Sequence, residues 1–162
     1  MRAALLVGAL LLLPVDGSAA PRAGCADLRG LVSTLSVSAT EQQGTILVKG
    51  RKLDGYRVAS LRGLITGGAP GGGFLLNHSI VFTHPRRPAS RLYTEGDVVT
   101  LTPTADPCVV DVLEEVHLAG GDGTFADVDV VASSGRAEGT INVCTLQNRF
   151  ELRMRLCRRV TP

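Results

Sequence analysis

Arg149-Phe150-Glu151-Leu152-Arg153-Met154-Arg155-Leu156-Cys157 is the stretch on which the fold class turns. Phe150, Leu152, Met154 and Leu156 occupy one face of an extended chain, and Arg149, Glu151, Arg153, Arg155 and Cys157 the other. A strand with one face in a core and one in water needs this period of two. Gly139 to Cys144, just before it, has the same pattern, with Ile141 and Val143 inward and Thr140, Asn142 and Cys144 outward. Thr145-Leu146-Gln147-Asn148 then reads as a hairpin connection, with Asn148 suited to a positive φ.

Thr34 to Thr40, Thr45 to Lys49, Tyr56 to Ile65, Leu75 to Thr83, Val98 to Thr102 and Val109 to Leu118 read as further strands. Gly67 to Gly73 is the longest Gly-rich loop, and His84 to Ser90, with Pro85 and Pro88, reads as a second exposed connection. Ala26 to Leu31 is the one short segment with a helical period. Many short alternating runs divided by turn signals indicate a sandwich or a barrel. The expected fold is all-β, a small antiparallel barrel of about eight strands, forming one domain over residues 20–162.

The N-terminus reads as targeting. Met1-Arg2 precedes an apolar run from Ala3 to Leu13, and Pro14 and the small residues Gly17, Ser18, Ala19 and Ala20 follow, the three-part pattern of a secretory signal peptide. The run falls well short of the roughly 20 residues of a membrane-spanning helix. Cleavage is expected after Ala19, because a cut after Ala20 would leave Pro21 at the new terminus. Ala23-Gly24-Cys25 ends like a lipidation motif, but Arg22 stands where an aliphatic residue belongs and Cys25 lies far beyond the apolar run. The chain is therefore expected to be secreted, extracellular or periplasmic, with no membrane span.

A net charge of +2, 4% aromatic residues and no Trp argue against a nucleic-acid partner and against a stacking platform for sugars or bases. Cys25, Cys108, Cys144 and Cys157 are an even set in an exported chain, which implies two disulfides. Their spacing matches no metal motif, and no cofactor motif stands elsewhere.

Three segments carry a resemblance: Leu76-Asn77-His78-Ser79-Ile80-Val81-Phe82, Gly96-Asp97-Val98-Val99-Thr100-Leu101, and the turn Gly120-Gly121-Asp122-Gly123-Thr124-Phe125-Ala126. Together they make Leu76 to Cys157 similar to uncharacterised secreted bacterial proteins related in fold to the allene oxide cyclase and dirigent barrels. The resemblance implies a barrel whose end Phe125 plugs, and it transfers no catalytic residue. Asp122 stands where that group has Thr, and Val128 and Val130 where it has Ala and Gly. If Val128 to Cys144 runs as one long strand interrupted near Ser133-Ser134-Gly135, Cys108 meets Cys144 and Cys25 meets Cys157. If Ser133-Ser134-Gly135 is a true hairpin turn, Cys108 meets Cys157 instead. The family-like turn favours the long strand and thus the first pairing.

Glu114 is the most informative polar residue. It shares parity with Val110, Val112, Val116 and Leu118, so it points into the barrel if that face is the core. A buried carboxylate is costly unless paired, and desolvation raises its pKa. It could serve as a general acid or base, meet a ligand's donor, sit at the barrel rim, or pair structurally with an inward Arg57 or Arg62. His78 and His84 bracket Ile80 and Phe82 on one strand face and lie about 20 Å apart, too far to share a metal. Glu114, His78 and Phe82 are thus the candidate lining of a ligand cavity.

The glycine turn lacks the Lys-Ser/Thr pair of a phosphate loop, and Asp122, Asp127 and Asp129 lack the spacing of a calcium loop. No metal site is expected there. No G-x-S-x-G elbow supports a hydrolase triad. Arg149, Arg153 and Arg155, continued by Arg158 and Arg159, form a basic outer stripe, read as a solvated face or a surface for an anionic envelope polymer. Two functions remain: non-catalytic binding of a small apolar ligand or an envelope or interaction role, and an isomerase or cyclase using Glu114 in a shaped cavity.

Overall fold

The computed structural model describes residues 24–49, 53 and 55–159, so the expected signal peptide and its cleavage site lie outside the described residues. Among these are ten strands and no α-helix: β1 Cys25–Ser36, β2 Glu41–Lys49, β3 Val58–Gly68, β4 Phe74–His84, β5 Arg87–Thr94, β6 Asp97–Pro103, β7 Val109–Val116, β8 Leu118–Asp122, β9 Ser134–Asn142 and β10 Gln147–Cys157. All pairings are antiparallel. The strands β1, β2, β3, β4, β6, β7, β9 and β10 close into a ring, and β5 and β8 extend the sheet outside it. The antiparallel eight-stranded barrel expected from alternation is the fold. The inward parity of β10 is that of Phe150, Leu152, Met154 and Leu156, all buried.

The ring forks at β4. Its first residues pair with β6, through Leu76↔Asp97, whereas Ser79 onward pairs with β5. On the facing side β7 gives way to β8 at His117. A fork leaves backbone groups without ladder partners, and buried ones must be satisfied. Side chains do this here. Thr94 Oγ1 accepts from the His78 N–H at 2.8 Å, Asn77 Oδ1 from the Gly96 N–H at 2.8 Å, and Asp97 Oδ1 from the His117 N–H at 2.6 Å.

One end of the barrel is plugged by aromatic rings. Phe125, in a 3-10 turn over Gly123–Phe125, lies 4.9 Å from Phe82 between ring centroids, and Tyr56 lies 5.8 Å from Phe82. Ser90 Oγ and the Tyr56 hydroxyl share a hydrogen bond of 2.8 Å, and Ser90 Oγ accepts the Thr124 N–H. Gly121 allows this close fit, because a Cβ there would stand 2.7 Å from the Phe125 backbone oxygen and 2.8 Å from Arg91 O.

Cys25 pairs with Cys157 across β1 and β10, and Cys108 with Cys144 across the adjoining ends of β7 and β9. The pairing is the expected one, but its geometric basis differs. Val128 makes only a single bridge, to Arg158, and the chain then turns, with Asp129 Oδ1 accepting from the Val131 and Ala132 N–H groups. No long strand from Val128 exists. The cysteines meet because β9 lies between β7 and β10.

Several local expectations change. The strand expected over Thr34 to Thr40 ends at Ser36, and Val143, expected inward, is exposed beyond the end of β9. Ala26 to Leu31 is strand, because Leu28, Gly30, Val32 and Thr34 alternate inward. His84 to Ser90 is not a loop: β5 begins at Arg87, and Pro88 is accommodated near its start. In the last hairpin the positive φ falls on Leu146, at 63°, rather than on Asn148. Asn148 is instead buried, its amide donating to Thr34 Oγ1 and Ser36 Oγ.

Candidate functional site

Opposite the aromatic plug, the barrel opens into a cavity of about 120 Å³. Ile65, Phe74, Leu76, Val99, Ile141 and Phe150 are among its apolar walls, and Glu114, Gln42 and Asn148, with Glu41, Ser36 and Ser38, supply polar groups. A deeper space of about 20 Å³ shares Gln42, Glu114 and Phe150 with it and reaches His78. A larger concavity, about 500 Å³, lies on the outer wall among Arg136, Glu138, Glu151 and Arg153. It is an open groove in which charged side chains surround Val112 and Leu113 and no buried polar group faces the space, so the interior cavity is the better candidate site.

Parity of β7 turns Glu114 inward, where 6% of the residue is exposed. Its neighbours are His78 from β4 and Asp97, the first residue of β6. His78 Nδ1 lies 2.8 Å from Asp97 Oδ2, 3.2 Å from Thr94 Oγ1 and 3.4 Å from Glu114 Oε1. Thr94 also donates a short hydrogen bond to Asp97 Oδ2. From Nε2 a polar chain continues: Gln42 Nε2 approaches at 3.4 Å, and Gln42 Oε1 accepts from the Thr34 hydroxyl at 3.0 Å. With Gln42 donating to Nε2, the imidazole carries its hydrogen on Nδ1 and gives it to Asp97.

Burial pushes the Glu114 carboxyl up to about 7; His78 pulls it down, and the nearby Asp97 pushes it further up. His78 is raised above its ordinary value, because its hydrogen bond to Asp97 and the fields of Glu114 and Asp97 outweigh burial, which disfavours the imidazolium. Arg57 and Arg62 do not pair with Glu114. Both are exposed, and Arg62 Nε bonds Glu41 Oε1 at 2.8 Å. Glu114 Oε1 is buried without a hydrogen-bond partner.

The three residues proposed from sequence as cavity lining separate. Glu114 borders both interior spaces, His78 borders the deeper one, and Phe82 is fully buried in the aromatic plug, away from both. His84 lies at the plugged end, its ring 5.8 Å from Tyr56. Asp97 and Gln42 were missed. Asp97 follows a turn glycine and resembles any turn acid until β4, β6 and β7 are placed side by side. On the outer face the basic stripe is interleaved with acids, as in Arg136 with Glu138 at 2.6 Å and Arg153 with Glu151 at 3.4 Å, which fits a solvated face. No protein family, curated protein or solved structure matches this chain.

Proposed function

We propose that this chain acts outside the cytoplasm as a binding barrel for a small, mainly apolar molecule that enters opposite the aromatic plug and turns one polar group toward Glu114 and Gln42. The cavity carries the reading: an apolar wall, open at one end, with a buried carboxyl oxygen at its base that has no hydrogen-bond partner. Its volume of about 120 Å³ is close to that of apolar cavities that accept a single benzene ring. Two disulfides suit a chain that folds in an oxidising compartment, and no helix among the described residues is long and apolar enough to cross a membrane.

Calorimetric titration with p-cresol, a ring with one hydroxyl, tests the reading. Saturable binding that is lost in Ile141→Trp, which fills the cavity, supports it. Binding unchanged by that substitution, or absent from the wild type, sinks it.

A second reading, an isomerase or cyclase, is favoured by the placement of a carboxyl against the ligand space with His78 beside it. An isomerase of this kind moves one proton between two carbons and a cyclase closes a ring within one molecule, so neither needs a co-reactant. Catalysed exchange of the α-hydrogens of cyclohexanone with deuterated water, present in the wild type and absent in Glu114→Gln, would favour it. Exchange at the uncatalysed rate would leave the binding role alone.

A further inference from the structure

The interior of the barrel holds two carboxylates: Asp97 accepts from the His117 N–H, Thr94 and His78, whereas Glu114 Oε1 has no hydrogen-bond partner. Asp97 is fully buried and Glu114 and His78 are 6% and 8% exposed, and no Lys or Arg is among the buried described residues. Carboxylates this deep in an apolar barrel are costly unless a cation or a proton joins them. One donor atom from each of His78, Asp97 and Glu114 lies within 4.8 Å of the other two. His78 Nδ1 stands 2.8 Å from Asp97 Oδ2 and 3.4 Å from Glu114 Oε1, separations at which atoms each about 2 Å from one metal ion are found. The Thr94 hydroxyl, 3.2 Å from Nδ1, lies beside them. Glu114 Oε1, buried and without a hydrogen-bond partner, is the oxygen that such an ion would satisfy.

We propose that His78 Nδ1, Asp97 and Glu114 form a binding site for one divalent transition ion of the zinc type. Binding shifts the imidazole to its other neutral tautomer: the Nδ1 proton leaves to solvent, one proton is taken up at Nε2, and the Glu114 carboxyl gives up any proton it holds to solvent. The Gln42 amide, now donating to Nε2, turns over so that its oxygen accepts that hydrogen and its NH₂ meets Thr34 Oγ1. Two carboxylates then balance the two charges of the ion. Three protein donors leave a coordination position free, the arrangement of an open site rather than a closed structural one. Glu114 borders the cavity, so that position is within reach of a cavity ligand's polar group. The inference goes beyond the proposed binding role, which needs no ion.

The test uses secreted, disulfide-intact, tag-free protein stripped with EDTA and titrated with Zn²⁺ in a calorimeter. One ion per chain is expected, bound at least about tenfold more weakly in both Glu114→Gln and His78→Gln, and equally well in a His84→Gln/His117→Gln control. Co²⁺ in the wild type should give the visible bands of a nitrogen- and oxygen-ligated ion, a readout that decides the matter even where a variant fails to fold. No saturable binding at about 100 µM zinc, or single-site binding that survives both substitutions, would overturn the site. Titrating p-cresol in EDTA shows separately whether the cavity binds its ligand, so either idea can fail alone.

Discussion

Glu114→Gln should make the metal-free protein more stable in mild alkali. The carboxyl's folded pKa is raised from 4.5 to about 7, so between those values the native state holds a proton that the unfolded chain has lost. Stability is full below 4.5 and falls as pH rises through about 7. At about 1.4 kcal/mol per unit, the rise is worth about 3 kcal/mol. His78, also raised, acts in the same direction and keeps its Asp97 hydrogen bond in the variant. The difference between the two proteins therefore reports Glu114 and its field on the imidazole. Urea titrations in EDTA at pH 4 and pH 8 read it directly. Near-equal stabilities at pH 4 and a variant more stable by up to about 3 kcal/mol at pH 8 are expected. A variant less stable by several kcal/mol at pH 8 would show that the ionised carboxylate is a structural partner, and the desolvation argument would fail.

Asp97→Ala removes the acceptor for the His117 N–H and for His78, and should cost about 3 kcal/mol or more in a denaturant titration; a loss below about 1 kcal/mol would mean that the fork does not depend on it. Phe125→Ala empties the aromatic plug and should cost about 3–5 kcal/mol, measured the same way, with a negligible change counting against the plug. Replacing Cys108 and Cys144 by Ser opens a loop with a sequence separation of 36 and should cost about 4 kcal/mol by loop-closure entropy; unchanged thermal stability would contradict that contribution.

The barrel was legible because β10 and β7 alternate cleanly, and the same alternation turned Glu114 inward. Segments whose inward positions are small or polar were harder to read. In β1 the core face includes Gly30 and Thr34, and Gly30 lies so close to Ile46 that a Cβ would come within 2.6 Å of it, so an alternating hydrophobic signal is missing where the packing is tightest. β5 was hidden by Pro88, which marks a loop in most contexts but fits at the start of a strand. Half of the site is hidden from local pattern for a different reason. Glu114 and His78 stand out within their own strands, whereas Gln42 and Asp97 acquire their roles only when the strands lie side by side, Asp97 where β4 changes partner from β6 to β5. That fork is a property of the pairing, and no local pattern encodes it.

Methyl chemical shifts recorded during a p-cresol titration test the central claim most directly. Perturbations confined to Ile65, Leu76, Val99 and Ile141, which line the cavity, are predicted. Shifts confined instead to the exposed Leu31, Leu47 and Val131, with the cavity methyls unmoved, would place the ligand on the outer wall and contradict the account.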